Sequence, residues 1–241
     1  HPDDETLAHA GVIYHALHGN HLAHARVRVA IVTSGDAYTS AVSNYYYGDT
    51  IHTPTAADFR NSALVRHGES LNAMSRLGLI ASDDVLFLGY PDQGLRSLYT
   101  NNYDTANAWT SSYTQRNEKY DPDAFRRDAS PESIRYAGTN VLQDLVAILS
   151  SFGPTEVYVP DLRDSHVDHD YTYLFLAEAL RTTGTRSTTI YREIIHAQQQ
   201  SSTYWPNPAW DGVRENRCTP TQGFDTPMGM PVPDAVFDFS A

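Results

Sequence analysis

The sequence predicts an α/β fold, a mostly parallel sheet covered by helices on both faces, built as one domain over residues 1–241. Short runs rich in Val and Ile alternate with longer stretches whose apolar residues recur every three or four positions, the pattern of strands feeding crossover helices. The strand runs are nearly continuous in apolar residues rather than alternating, as burial on both faces requires. A chain of 241 residues with 41% hydrophobic content also lies within what one such core occupies.

Taken in order, Leu7, Ala10, Gly11, Tyr14 and Leu17 recur at helical spacing until Gly19 and Asn20 supply a stop. Val27, Val29, Ile31 and Val32 follow as a buried strand. A long helix runs from about Asp58, an N-cap candidate, through Phe59, Ala63, Leu64, Leu71, Met74 and Leu77 to Gly78. Val85 to Leu88 forms the next strand. Ser130 and Pro131 signal a helix start, and Val141, Leu145, Ile148 and Leu149 face its core before Gly153 and Pro154 end it. Val157 to Val159 is the strand leading to His166, Tyr171 to Leu180 the helix after it, and Ile190 to Ile195 a further strand.

Three stretches fall outside this alternation: Asp36 to Ala57 with Tyr45, Tyr46 and Tyr47 in succession, Ser97 to Asp128 with Tyr99, Tyr103, Trp109, Tyr113 and Tyr120, and Trp205 to Thr226 with Trp210. They are too long for ordinary connections. Aromatic rings stack on sugar faces, so these segments are expected to wall a saccharide cleft; tyrosines that merely pin a long loop are the competing expectation.

A formal net charge of −12 disfavours nucleic acid and anionic membrane surfaces as partners. Cys218 stands alone and forms no internal disulfide, and no apolar run is long enough to span a bilayer. Abundant Tyr, Thr, Ser and Asn with Lys119 as the only lysine point toward an extracellular setting, although a GC-rich genome produces the same arginine bias.

The chemistry concentrates in two runs, His1-Pro2-Asp3-Asp4-Glu5 and His166-Val167-Asp168-His169. A catalytic zinc takes three protein ligands, typically imidazole nitrogen or carboxylate oxygen, and keeps a further position open for water. His1 and Asp4 are three apart, so with Pro2 at the first helical position both side chains turn to one side while Asp3 points elsewhere. Asp3 is then the candidate general base. Of His166 and His169, one completes the ligand set and the other stays near the substrate carbonyl to steady an oxyanion or pass a proton. Acidic residues at a helix start are often only caps, but both runs fall at the rim where open α/β sheets gather ligands. His9, His15, His18, His21 and His24 lack a carboxylate or cysteine placed to complete a shell and are expected to face solvent; His52, His67 and His196 carry no motif.

Together these runs resemble the LmbE-like or PIG-L family of metal-dependent N-deacetylases. His1 to Glu5 stands as the family's His-Pro-Asp-Asp-Glu and His166 to His169 as its His-x-Asp-His. Between them Val32 to Asp36 resembles its Val-Thr-x-Gly-Glu turn, Arg66 and Glu69 its Arg-x-x-Glu helix, and Pro91 to Gly94 a later turn, in the right order. The resemblance implies a Rossmann-like three-layer fold, zinc held by His1, Asp4 and His169, Asp3 as base, His166 steadying the oxyanion and Asp168 orienting a neighbour. Arg66 and Asp92 would touch the sugar, with Asp36 beside them standing one methylene shorter than the usual Glu. It implies hydrolysis of an acetamide on an amino sugar, with an N-acetylated saccharide or glycoconjugate as partner. Nitrogen and oxygen ligands also suit iron, cobalt or nickel. An N-acyl thiol conjugate or lipid would ask for an apolar channel instead, and a non-catalytic carbohydrate-binding scaffold for a missing base or ligand. The family pattern further implies a hydrophobic strand running into His1 and a closing helix after the late segment of Pro231 to Asp234 and Val236 to Phe239.

Overall fold

The computed structural model describes residues 1–19, 25–49, 51–126, 134–162, 164–185, 187–196 and 232–233. It is a mixed α/β structure of two compact units, residues 1–145 and 146–241. The first carries α1 (Asp4–His18), β1 (Val29–Thr33), α2 (Thr39–Tyr47), α3 (Ala56–Leu77), the single turn α4 (Ala81–Asp84), β2 (Val85–Tyr90) and α5 (Leu95–Thr100). α6 (Gly138–Phe152) leads into β3 (Glu156–Pro160), α7 (Val167–Thr183), β4 (Thr189–Glu193) and β5 (Val232–Pro233).

In the first unit β1 and β2 pair in parallel, Val29 opposite Val85 and Ile31 opposite Phe87. Ile13 of α1 and Met74 of α3 close on Ile31, Val85 and Phe87 as one core, so the apolar face of each helix is spent on the strand pair. In the second unit β3 pairs in parallel with β4, which pairs antiparallel with β5, and α7 packs on β3 through a face that buries Phe175, Leu176, Ala179 and Leu180. The expected parallel strands are present, as two ladders among the described residues rather than one.

Element boundaries depart from the periodicity where local hydrogen bonding intervenes. Pro2 does not open α1; the helix begins at Asp4, with Asp3 at the N-cap position and φ 109°. Asp58 does not cap α3 but completes a capping box with Thr55, each side chain accepting the other's backbone N–H. α6 starts at Gly138 rather than near Ser130, because Lys119 N–H donates to Ile134 O and Tyr136 N–H to Asn117 O, which keeps that backbone extended. The positions from 127 to 133 lie outside the described residues. α2 and α5 arise inside stretches that read as irregular, and α2 carries Tyr45 and Tyr47 at 62% and 42% exposure. The Trp205 to Thr226 segment and Val236 to Phe239 lie outside the described residues.

Candidate metal centre

In the first unit, α1 begins inside the motif. His1 Nδ1 lies 3.1 Å from Asp4 Oδ2. That is a hydrogen bond, and it also lies near the roughly 3.3 Å that separates neighbouring ligand atoms on a tetrahedral zinc with bonds of ~2.0–2.1 Å, so the pair could share one ion with little movement. The other ring nitrogen, His1 Nε2, faces Asp92 Oδ1 at 3.0 Å; a carboxylate on the far nitrogen is the usual way a metal-binding imidazole is oriented. The donor types and the spacing both fit a borderline divalent cation.

Asp3 makes no side-chain cap, so the bland explanation for an acid at a helix start does not apply to it. Its backbone sits at φ 109°, a conformation that a non-glycine residue holds only when neighbours compel it. Glu5, 4% exposed, accepts the Asp3 N–H at 2.8 Å and the Ser70 hydroxyl at 2.8 Å. Arg66 Nη1 donates to Gly35 O at 2.8 Å, its other arm to Pro2 O, and Nη2 pairs with Asp3 Oδ2 at 3.0 Å. Gly35 sits at φ 63°, and a Cβ there would also overlap the Arg66 guanidinium, so the turn after β1 favours glycine. Burial raises the Asp3 carboxyl above its ordinary range; Arg66 opposes that and Asp4 adds to it.

Behind His1 runs a buried relay. Asp92 accepts the Ala37 N–H at 3.2 Å on its second oxygen. Asp36, fully buried, accepts the Asp92 N–H at 2.9 Å and the Tyr120 hydroxyl at 2.8 Å. Burial pushes Asp36 up to about 6 against the pull of these donors. With no exposed surface, Asp36 acts on its surroundings through Asp92 and Tyr120.

In the second unit, α7 starts at the second motif. His166 is its N-cap residue and its ring accepts the Asp168 N–H, while Asp168 and His169 are buried at 1% and 2% exposure. The organising group is Asp164. It accepts the backbone N–H groups of His166 at 2.9 Å, Ile195 at 2.7 Å and His196 at 2.8 Å, and its Oδ2 lies 3.1 Å from His169 Nδ1. Burial alone would raise Asp164, but the His169 and His196 side chains and the His166 N–H outweigh it and hold the carboxyl far below its ordinary range. The rings of His166, His169 and His196 stand 5.0 to 5.5 Å apart. Asp164, His169 and His196 each bring a donor atom within 4.8 Å of the others, a set able to hold a cation.

Within their own units, then, His1, Asp4 and Asp92 come together with Asp3 and Arg66 beside them, and His166, His169 and Asp168 share the first turn of α7. Glu5, Asp164 and His196 belong to these sites although the sequence reading passed over them. Glu5 and Asp164 stand two residues from Asp3 and His166, a spacing that was legible; His196 sits after β4 and only the chain path brings it close. Of the histidines read as solvent-facing, His15 and His18 are exposed, and His21 and His24 lie outside the described residues. His67 is buried, with Nδ1 2.7 Å from Asp121 and its ring stacked on Phe87.

The family model described as GlcNAc-PI de-N-acetylase, PIG-L, matches residues 1–180. No curated protein and no solved structure matches the chain.

Proposed function

The chain belongs to the PIG-L family, and from that premise, which brings a Rossmann-like α/β fold and deacetylase-type hydrolysis, we propose a metal-dependent enzyme that removes the acetyl group from an N-acetylated amino sugar. The observation that carries the reading is the His1–Asp4 pair at ligand spacing, with Asp92 on the far nitrogen of the imidazole. His1, Asp4 and His169 would hold the cation, zinc or another divalent transition metal that takes nitrogen and oxygen ligands.

When bound, such a cation polarises the amide carbonyl and brings the pKa of a water toward ~7. Asp3, anchored by Arg66, takes the proton from the attacking water. His166 steadies the oxyanion of the tetrahedral intermediate, held in place by its bonds to Asp164 and Asp168. Protonation of the departing nitrogen by Asp3 or His166 releases the amine and acetate. Arg66 and Asp92 border the sugar, Asp36 fixes Asp92 from behind, and Asp168 keeps the His166 ring in place.

Acetate release from a panel of N-acetylated mono- and oligosaccharides, with and without chelator, tests the reading. Release that stops with chelator and returns with zinc is expected; turnover indifferent to chelator would overturn the metal dependence, and no release from any member would overturn the reaction class.

A further inference from the structure

The first unit holds an open cavity of about 480 Å³ lined by Arg60, Asn61 and Leu64 of α3 and by Gln115, Arg116 and Tyr120. We propose that this cavity is a subsite for the carboxylate of a sugar acid adjoining the N-acetylated sugar. The inference rests on the function proposed above and names the class of substrate it would favour.

Two arginines in one groove are an exception in a chain of net charge −12 with 17 Lys and Arg against 29 Asp and Glu. Guanidinium groups recognise carboxylates through paired N–H donors. Asn61, Gln115 and the Tyr120 ring supply the amide and aromatic contacts that suit sugar hydroxyls and faces. The charge balance selects a monoanion. Arg116 is already paired with Glu118 at 2.5 Å, which leaves the groove close to a single positive charge and disfavours a dianionic phosphate.

The groove is preformed. Arg60 Nη1 donates to Thr114 O at 2.6 Å, tying α3 to the loop. Ser111 N–H donates to Arg116 O at 2.8 Å and Gln115 N–H to Ser111 O at 3.0 Å, with Gln115 in the left-handed region at φ 57°. Arg116 Nε has no hydrogen-bond partner among the described residues, polar capacity that the fold itself does not use. The groove is also wired to the centre. Its Tyr120 donates to Asp36, Asp36 receives the Asp92 N–H, and Asp92 faces His1. A unit seated against Tyr120 is therefore coupled through Asp36 and Asp92 to His1.

The test is calorimetric titration of the full chain at low salt with sodium glucuronate, glucose and inorganic phosphate. Glucuronate should bind at least tenfold more tightly than glucose and more tightly than phosphate, and its affinity should fall as salt rises. Arg116→Gln should weaken glucuronate at least fivefold. Because that change also removes the Arg116 pairing from Glu118, Asn61→Asp serves as the second variant: the residue is exposed on α3, and a carboxylate there repels the ligand by a similar factor. Equal affinity for glucuronate and glucose, or undiminished affinity in both variants, would sink the proposal; tighter phosphate than glucuronate would remove the sugar acid as occupant. Binding is read without turnover, so a chain that binds glucuronate yet releases no acetate refutes the hydrolase reading alone.

Discussion

His1 Nε2 lies 3.0 Å from Asp92 Oδ1 although 91 residues separate them in sequence. The contact joins the start of α1 to the turn after β2, because the parallel pairing of β1 with β2 carries Ser34 N–H to Tyr90 O and so brings both turns to one edge. It gives the imidazole a fixed orientation, which a residue preceding its helix would otherwise lack.

Asp3→Asn should keep bound zinc and lose turnover by about 10²–10⁴-fold, the usual worth of a general base. Asp4→Ala and His169→Ala should lose zinc and turnover together. Elemental analysis of each purified variant beside its acetate release separates the effects; an active Asn variant ends the base assignment.

Asp164→Ala strips three backbone N–H groups and the His169 ring of one shared acceptor. Unsatisfied buried donors cost about 1–3 kcal/mol each before water compensates, so a net loss of about 2–4 kcal/mol is expected in urea unfolding. Zinc affinity should fall with it, since the His169 ring loses its orienting carboxylate. A variant as stable as the parent would show that water fills the role.

Asp36 gives a pH dependence with a definite sign. Its folded value, pushed up to about 6 by burial, lies above the ordinary ~3.9 of an unfolded Asp, so the folded state holds the proton more tightly. Stability from this group is fully present below the unfolded value and declines as pH rises through the window up to about 6, by on the order of 2–3 kcal/mol. Asp36→Asn removes the decline. Unfolding measured at several pH values between roughly 4 and 7 should therefore show the variant gaining on the parent as pH rises; parallel curves would contradict the assignment.

Asp144 accepts from the Tyr90 hydroxyl at 2.7 Å and from Lys119 Nζ at 2.6 Å, with Arg126 also on its carboxylate, and neither the Lys119 nor the Asp144 side chain is exposed. Asp144→Ala leaves a buried ammonium without its counter-charge, at a cost of about 3–5 kcal/mol. Lys119 is also the only lysine, so an amine-acylating reagent followed by peptide mass mapping should label it in the unfolded chain and spare it in the native one. Rapid native labelling would mean that the network opens.

The alternation of helix and strand, both motifs and the His1–Asp4 pair are legible in the sequence; Asp3 with Glu5 and Asp164 with His166 stand at equally short spacing, but only their hydrogen bonds single them out. Periodicity and i, i+3 geometry are local, so spacing reveals what lies within a turn or an element. It missed the late start of α6 and the helix α2, because strand-like pairing with residues 117 to 119 and packing against α3 overrode local preference. Contacts between distant segments alone reveal that Asp92 orients His1, that Asp36 and Tyr120 stand behind it, that Asp164 gathers a histidine from after β4, and that two arginines share one groove. Those partners are far apart in the chain, and the loop closure that joins them is secured by burial of the strands and helices between them, a quantity no local pattern of residues records.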